Sequence, residues 1–203
     1  MWLTTRTGIY NENLALLPGT DELWTVNERP GARTAAKTSW AAVPAFAGIV
    51  DRTAADFTGD RLPDTLGVEA STGRLWLYPG TAGGGLGNRV RIGTGWNAMS
   101  ELAAPGDLNA DGKPDLAAVG HDGTLWAYPG TGTLNGTATL GDRTSPGTNW
   151  DTMRQLVGAD LDNDGKGDLS AVQAPATSTG TLYLYPGTGA TAPGPRAQTG
   201  TNW

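Results

Sequence analysis

The chain is an internal repeat, and that limits it to architectures built by stacking one small unit. Gly93-Thr94-Gly95-Trp96, Gly147-Thr148-Asn149-Trp150 and Gly200-Thr201-Asn202-Trp203 are copies of one tetrapeptide, and Lys37-Thr38-Ser39-Trp40 is a weaker fourth. The tryptophans are spaced by 56, 54 and 53 residues. A period of that size over 203 residues marks a supersecondary unit that buries its apolar faces against neighbouring copies.

A second block recurs between the tryptophans. Gly73-Arg74-Leu75-Trp76-Leu77-Tyr78-Pro79-Gly80-Thr81 is followed by Gly123-Thr124-Leu125-Trp126-Ala127-Tyr128-Pro129-Gly130-Thr131 and then Gly180-Thr181-Leu182-Tyr183-Leu184-Tyr185-Pro186-Gly187-Thr188. Residues 13–26 align without gaps on 115–128, which sets repeats of about 1–40, 41–96, 97–150 and 151–203 within a single domain. The first is short and has no acidic loop. Leu116-Ala117-Ala118-Val119 and Thr124-Leu125-Trp126-Ala127-Tyr128 suit strands covered on both faces, with His121-Asp122-Gly123 as the hairpin turn between them. Stretches 99–104 and 137–143 are expected to supply two further strands. No segment holds a helical apolar period, and the 31 Gly and 13 Pro mark many short elements. Four strands per unit, repeated radially, predict an all-β fold: a β-propeller of four four-stranded blades.

Ten of the 15 Asp lie in three loops. Asp107-Leu108-Asn109-Ala110-Asp111-Gly112-Lys113-Pro114-Asp115 and Asp160-Leu161-Asp162-Asn163-Asp164-Gly165-Lys166-Gly167-Asp168 place oxygen side chains at positions 1, 3, 5 and 9. Gly at position 6 permits the sharp turn that aims the carbonyl of Lys113 or Lys166 inward, and six to eight oxygens of this kind suit calcium better than magnesium. Two strong Ca²⁺ sites are expected. Asp56-Phe57-Thr58-Gly59-Asp60-Arg61-Leu62-Pro63-Asp64 is a third, weaker one, offering Asp56, Thr58, Asp60, Asp64 and the Leu62 carbonyl. An EF-hand is excluded, because position 12 is Gly67, Ala118 or Ala171 and the flanks are strands. Three divalent ions would cancel the formal charge of −6.

The acidic loop, the apolar strand and hairpin after it, and the Gly-Thr-Leu-Trp-x-Tyr-Pro-Gly-Thr block together resemble the FG-GAP/VCBS repeats of secreted bacterial proteins. These are similar to the calcium-loop blades of integrin α-chain propellers. The resemblance covers nearly the whole chain and matches best at 97–150 and 151–203. It implies a propeller in which Asp107, Asn109, Asp111, Asp115, Asp160, Asp162, Asp164 and Asp168 bind calcium. The Phe-Gly…Gly-Ala-Pro signature itself is absent, and four repeats are fewer than the seven or so blades usual in the family.

Composition removes several functions. Net acidity excludes a phosphate-backbone binder, and the absence of Cys excludes disulfides and thiolate metal sites. No apolar run is long enough to insert in a membrane. The one histidine, His121, sits in a turn, and no nucleophile motif or phosphate-binding loop is present, so the chain is not expected to be an enzyme. A glycan hydrolase is a remote alternative. Trp24, Trp76 and Trp126, with Tyr183 in the fourth copy, share one repeat position, as do Trp40, Trp96, Trp150 and Trp203. Each set suits a wedge between blades. The sharper alternative stacks sugars on Trp96, Trp150 and Trp203 with help from Asn149 and Asn202. The expected role is therefore a non-catalytic, calcium-stabilised secreted module, with a glycan as the first partner class and an extracellular protein as the alternative. Homo-oligomerisation or fusion to a larger chain is compatible with the short array. Residues 1–6 lack the regions of a secretory signal, so a mature or excised extracellular form is expected.

Overall fold

The computed structural model describes residues 48–173 and 179–201 in full, together with the strand backbone at 2–7, 10–16, 23–29 and 32–34. The fold is all-β. Three four-stranded antiparallel sheets are formed by β5 (Ile49–Ala55), β6 (Asp64–Glu69), β7 (Arg74–Tyr78) and β8 (Val90–Gly93); by β9 (Met99–Gly106), β10 (Asp115–Gly120), β11 (Leu125–Tyr128) and β12 (Thr144–Gly147); and by β13 (Met153–Ala159), β14 (Asp168–Gln173), β15 (Thr181–Tyr185) and β16 (Ala197–Thr201). In each, strands pair in chain order, as a meander. The strand backbone of β1 (Trp2–Thr7), β2 (Tyr10–Leu16), β3 (Leu23–Arg29) and β4 (Ala32–Thr34) pairs in the same order. None of these sheets closes into a barrel.

Both faces of the central strands are buried, as their continuous apolar runs require. Leu66, Val68, Leu75 and Leu77 of one sheet join Leu102, Ala104, Leu116 and Ala118 of the next in one core. On the opposite face, Ala103, Ala117, Val119 and Leu125 join Met153, Leu156, Leu169 and Ala171 of the third sheet. The core is thus a series of layers between sheets.

The Gly-Thr-x-Trp tetrapeptide seals each layer. Trp96 and Trp150 are each 6% exposed. Their rings lie against Tyr128 and Tyr185 of the following repeat, with centroids 4.7 and 4.5 Å apart. A Cβ on Gly93 would come within 2.2 Å of the Trp96 indole nitrogen, so the first glycine makes room for the ring. The third position is left-handed, with φ 76° at Gly95 and 67° at Asn149, and Gly and Asn are the residues that tolerate it. The peptide N–H of each Trp then donates to the turn before β7 or β11, at Gly73 and Gly123.

The hairpin turn at His121-Asp122-Gly123 is where the sequence places it, with Gly123 N–H bonded to the Gly120 carbonyl. The fourth strand of that repeat is not. Residues 137–143 form a short 3-10 turn (Gly136–Ala138) and a loop, and the strand is β12 at Thr144–Gly147. Two side chains explain the displacement. Leu140 is buried, and Arg143 lies 3.8 Å above the Trp126 ring, which uses up the segment before the edge strand begins. Pro146 then falls on an edge, where a missing ladder donor costs little.

If the terminal tryptophan is the wedge between sheets, Trp150→Ala should lose about 3–5 kcal/mol, the usual cost of a large buried aromatic. A denaturant melt measures this. A loss below about 1 kcal/mol would place the ring outside the core.

Candidate metal loops

Each acidic loop leaves the first strand of its sheet and re-enters the second, and its last aspartate is the first residue of β6, β10 or β14. Asp64, Asp115 and Asp168 are almost wholly buried. Each holds two things together. One oxygen accepts from the loop's own backbone: Thr58 N–H at 2.9 Å, Leu108 N–H at 2.9 Å and Leu161 N–H at 2.7 Å. The other accepts from the glycine of the Tyr-Pro-Gly-Thr block, at Gly80, Gly130 and Gly187, at 2.9, 2.9 and 2.6 Å. That glycine is required sterically as well, since a Cβ on Gly130 would sit 2.0 Å from the Pro114 carbonyl oxygen.

The remaining acids wrap the loop backbone. Asp107 accepts from Asp111 and Gly112 N–H, Asn109 from Asp111 N–H, and Asp111 from Lys113 N–H. Asp160, Asp162 and Asp164 repeat this pattern on Asp164, Gly165 and Lys166. In the third loop Asp56 accepts from Gly59, Asp60 and Arg61, and Asp60 from Leu62. Thr58 turns its hydroxyl toward Asp64 as a donor. Lys166 pairs its ammonium with Asp164, and Lys113 lies 3.9 Å from Asp111.

Backbone geometry is common to all three loops, including the one whose sequence departs. Positions 4 and 6 are left-handed throughout: Gly59 and Arg61 at 77° and 68°, Ala110 and Gly112 at 61° and 80°, Asn163 and Gly165 at 63° and 87°. The glycine has moved from position 6 to position 4 in the first of them for a local reason. A Cβ at Gly59 would lie 2.5 Å from the Gly132 carbonyl oxygen of the next repeat, whereas Ala110 has room beside Gly189.

The fit to a cation is tightest in the last loop. Carboxylate oxygens of Asp160, Asp162 and Asp168 lie within 4.8 Å of one another, a grouping that can hold a metal ion and the one such cluster among the described residues. Asn109 takes the place of Asp162 in the middle loop and Thr58 in the first, so those loops bring fewer charged oxygens together. Burial pushes the Asp64 and Asp115 carboxyls above their ordinary range. Neighbouring loop acids add to the push, against the pull of the backbone N–H donors. Asp164 is held low, chiefly by Lys166.

The aromatic residues offer less than the sequence suggests. Trp96 and Trp150 are core residues, so neither presents a free indole face for a sugar. Asn149 is an exposed turn residue whose identity follows from its left-handed backbone. Trp203 and Asn202 lie outside the described residues, as does Trp40. Trp76, Trp126 and Tyr183 are half-buried, and each carries an arginine on its ring: Arg89, Arg143 and Arg196, at 4.0, 3.8 and 4.0 Å. The same guanidinium reaches the hydroxyl of Tyr78, Tyr128 or Tyr185. Sequence reasoning missed these arginines, although Gly87-Asn88-Arg89, Gly141-Asp142-Arg143 and Gly194-Pro195-Arg196 recur in register. His121 is exposed in its turn.

Two outcomes follow for the metal-free protein. Gly130→Ala should cost about 1–3 kcal/mol by overpacking, whereas Gly87→Ala, with ordinary contacts only, should stay within about 0.5 kcal/mol; paired denaturant melts compare them. For Asp115, the raised folded pKa means that protonation favours the folded state. Its contribution is complete below the unfolded value near 3.8 and is lost as pH rises through the folded value. The stability of the wild type relative to Asp115→Asn in chelator should therefore shrink as pH rises above the unfolded value, and a difference that grows would reverse the assignment.

No curated protein matches the chain significantly. The FG-GAP-like repeat matches it twice, over residues 56–118 and 107–171. Each match opens on the first aspartate of an acidic loop and runs through the next repeat's loop to the following strand. The two overlap by one loop, so together they span more than half of the chain. With three sheets of one topology and one loop geometry behind that match, the chain belongs to the FG-GAP-like repeat family.

Proposed function

We propose that this protein is a non-catalytic, calcium-stabilised binding module of the extracellular kind, with its four repeats arranged as propeller blades. One observation carries the reading: three loops of different sequence share one backbone course, each anchored by a buried aspartate that links it to the neighbouring turn. The non-glycine residues in left-handed geometry at positions 4 and 6, Arg61, Ala110 and Asn163, carry a conformational cost. An ion at the centre would offset that cost and the crowding of carboxylates. Calcium suits oxygen donors without thiolate or imidazole, and extracellular modules bind it at about 10⁻⁴–10⁻³ M. The loop of 160–168 is the strongest site, 107–115 the second and 56–64 the weakest.

The partner is best sought at the loop-bearing end. A glycan reading rested on open indole faces, and the packing of Trp96 and Trp150 removes two of them. The loops present exposed carboxylates at Asp60, Asp111, Asp160, Asp162 and Asp164, with Lys113 beside them. A protein partner that meets this acidic, ion-bearing surface is the reading favoured here. No helix among the described residues is long and apolar enough to cross a membrane.

Calcium titration by calorimetry, with melting in chelator as its companion, tests the first claim. Calcium should raise the melting temperature, Asp164→Ala and Asp111→Ala should each remove about one ion, and protons should compete so that calcium's gain grows with pH. Equal melting temperatures with calcium and with chelator would remove it. A glycan array in calcium-replete buffer should stay blank; a hit that survives loop substitutions would restore the sugar reading.

A further inference from the structure

The last sheet carries a face that its predecessors bury. At position 2 of the acidic loop, Phe57 and Leu108 are 0% and 2% exposed, whereas Leu161 is 46% exposed. In the first strand of each sheet, Thr53 and Ala103 occupy one position and are 7% and 2% exposed; their counterpart Val157 is 53% exposed. Leu75 and Leu77, and Leu125 and Ala127, are buried in β7 and β11, while Leu182 and Leu184 in β15 are half-buried. All of these positions point toward the following repeat. Phe57 enters the core of the next sheet, Thr53 accepts from Ala104 N–H at 2.8 Å, and Ala103 joins the core of the β13–β16 sheet. The loops follow the same rule. The backbone carbonyl of Asp107 accepts from Gly167 N–H of the following repeat at 2.8 Å.

We propose that this face of the β13–β16 sheet, centred on Val157 and Leu161, is an interface for a second copy of this chain, seated on it as each repeat is seated on the one before. The inference rests on the propeller-like stacking of repeats described above. The occupant follows from continuity. The surface extends an interface used twice among the described residues, its residues are apolar where the array requires apolar residues, and Val157 and Leu161 stay 53% and 46% exposed among the described residues. A contact of this sense is head-to-tail, and two copies related by a two-fold axis close it into a ring. Among the described residues, Val50, 43% exposed on β5 of the second repeat, is the other large apolar residue left open on a first strand.

Light scattering of the calcium-loaded chain should give near twice 21.0 kDa. Val157→Glu with Leu161→Glu should give a single chain that melts as cooperatively as the wild type. A wild type that stays at 21.0 kDa as concentration rises overturns the proposal, as does a variant that keeps the doubled mass. Because the chain has no cysteine, Leu161→Cys supplies a single thiol and a readout that does not depend on the glutamate pair folding. Its maleimide labelling should slow as protein concentration rises, and a rate independent of concentration counts against the interface. Calcium binding is measured separately in the same samples, so a doubled mass without calcium uptake would leave this interface standing while removing the calcium reading, and the reverse result would do the opposite.

Discussion

Everything in the last three repeats depends on one buried carboxylate per sheet. Asp64, Asp115 and Asp168 begin the second strand, and each closes two distant pieces of backbone on itself: its own loop and the turn after the third strand. A buried acid of this kind is costly unless its lone pairs are filled. The backbone donors fill them, and this explains why the acid recurs even where the rest of the loop varies. Thr58 and Arg61 can replace more usual loop residues because the anchor, and with it the entry into β6, is unchanged.

A second recurring contact carries the stacking. The terminal tryptophan of one repeat lies on the tyrosine of the next, and an arginine covers the aromatic residue two positions before that tyrosine. Tyrosine therefore has two roles: its ring receives the tryptophan and its hydroxyl receives the guanidinium. Such stacking gives most contacts to adjacent repeats, and stability in an array of that kind is close to a sum of unit and neighbour contributions.

The sequence made the repeat, the strands and the loops readable because each signal is local. Strand patterning, the His121-Asp122-Gly123 turn and the aspartate spacing depend on residues a few positions apart. What could not be read depends on contacts between residues distant in sequence. The fourth strand lies beyond 137–143 because Leu140 and Arg143 are claimed by partners elsewhere, and that claim is invisible in the segment itself. Asn149 beside Trp150 suggested a polar partner for a ligand, whereas its backbone angle explains it. The wedge reading of the terminal tryptophans was legible from their recurrence, but the arginine on the second aromatic set required a ring-to-cation geometry that spacing alone does not reveal. Glycine relocation from position 6 to position 4 has the same origin, the carbonyl of Gly132 in the adjacent repeat.

That carbonyl links the loops to one another. The loop at 56–64 rests, at Gly59, on the turn that holds Gly130; Gly130 is bonded to Asp115; Asp115 holds the loop at 107–115; and Ala110 of that loop rests beside Gly189, in the turn that holds Gly187 and Asp168. The three loops thus follow one another closely along one end of the array, with the stems of Lys113 and Lys166 beside the turns at Gly132 and Gly189. A rearrangement that tightened one loop would stiffen the floor under its neighbour, and the end that presents the loops would change its rigidity as a unit.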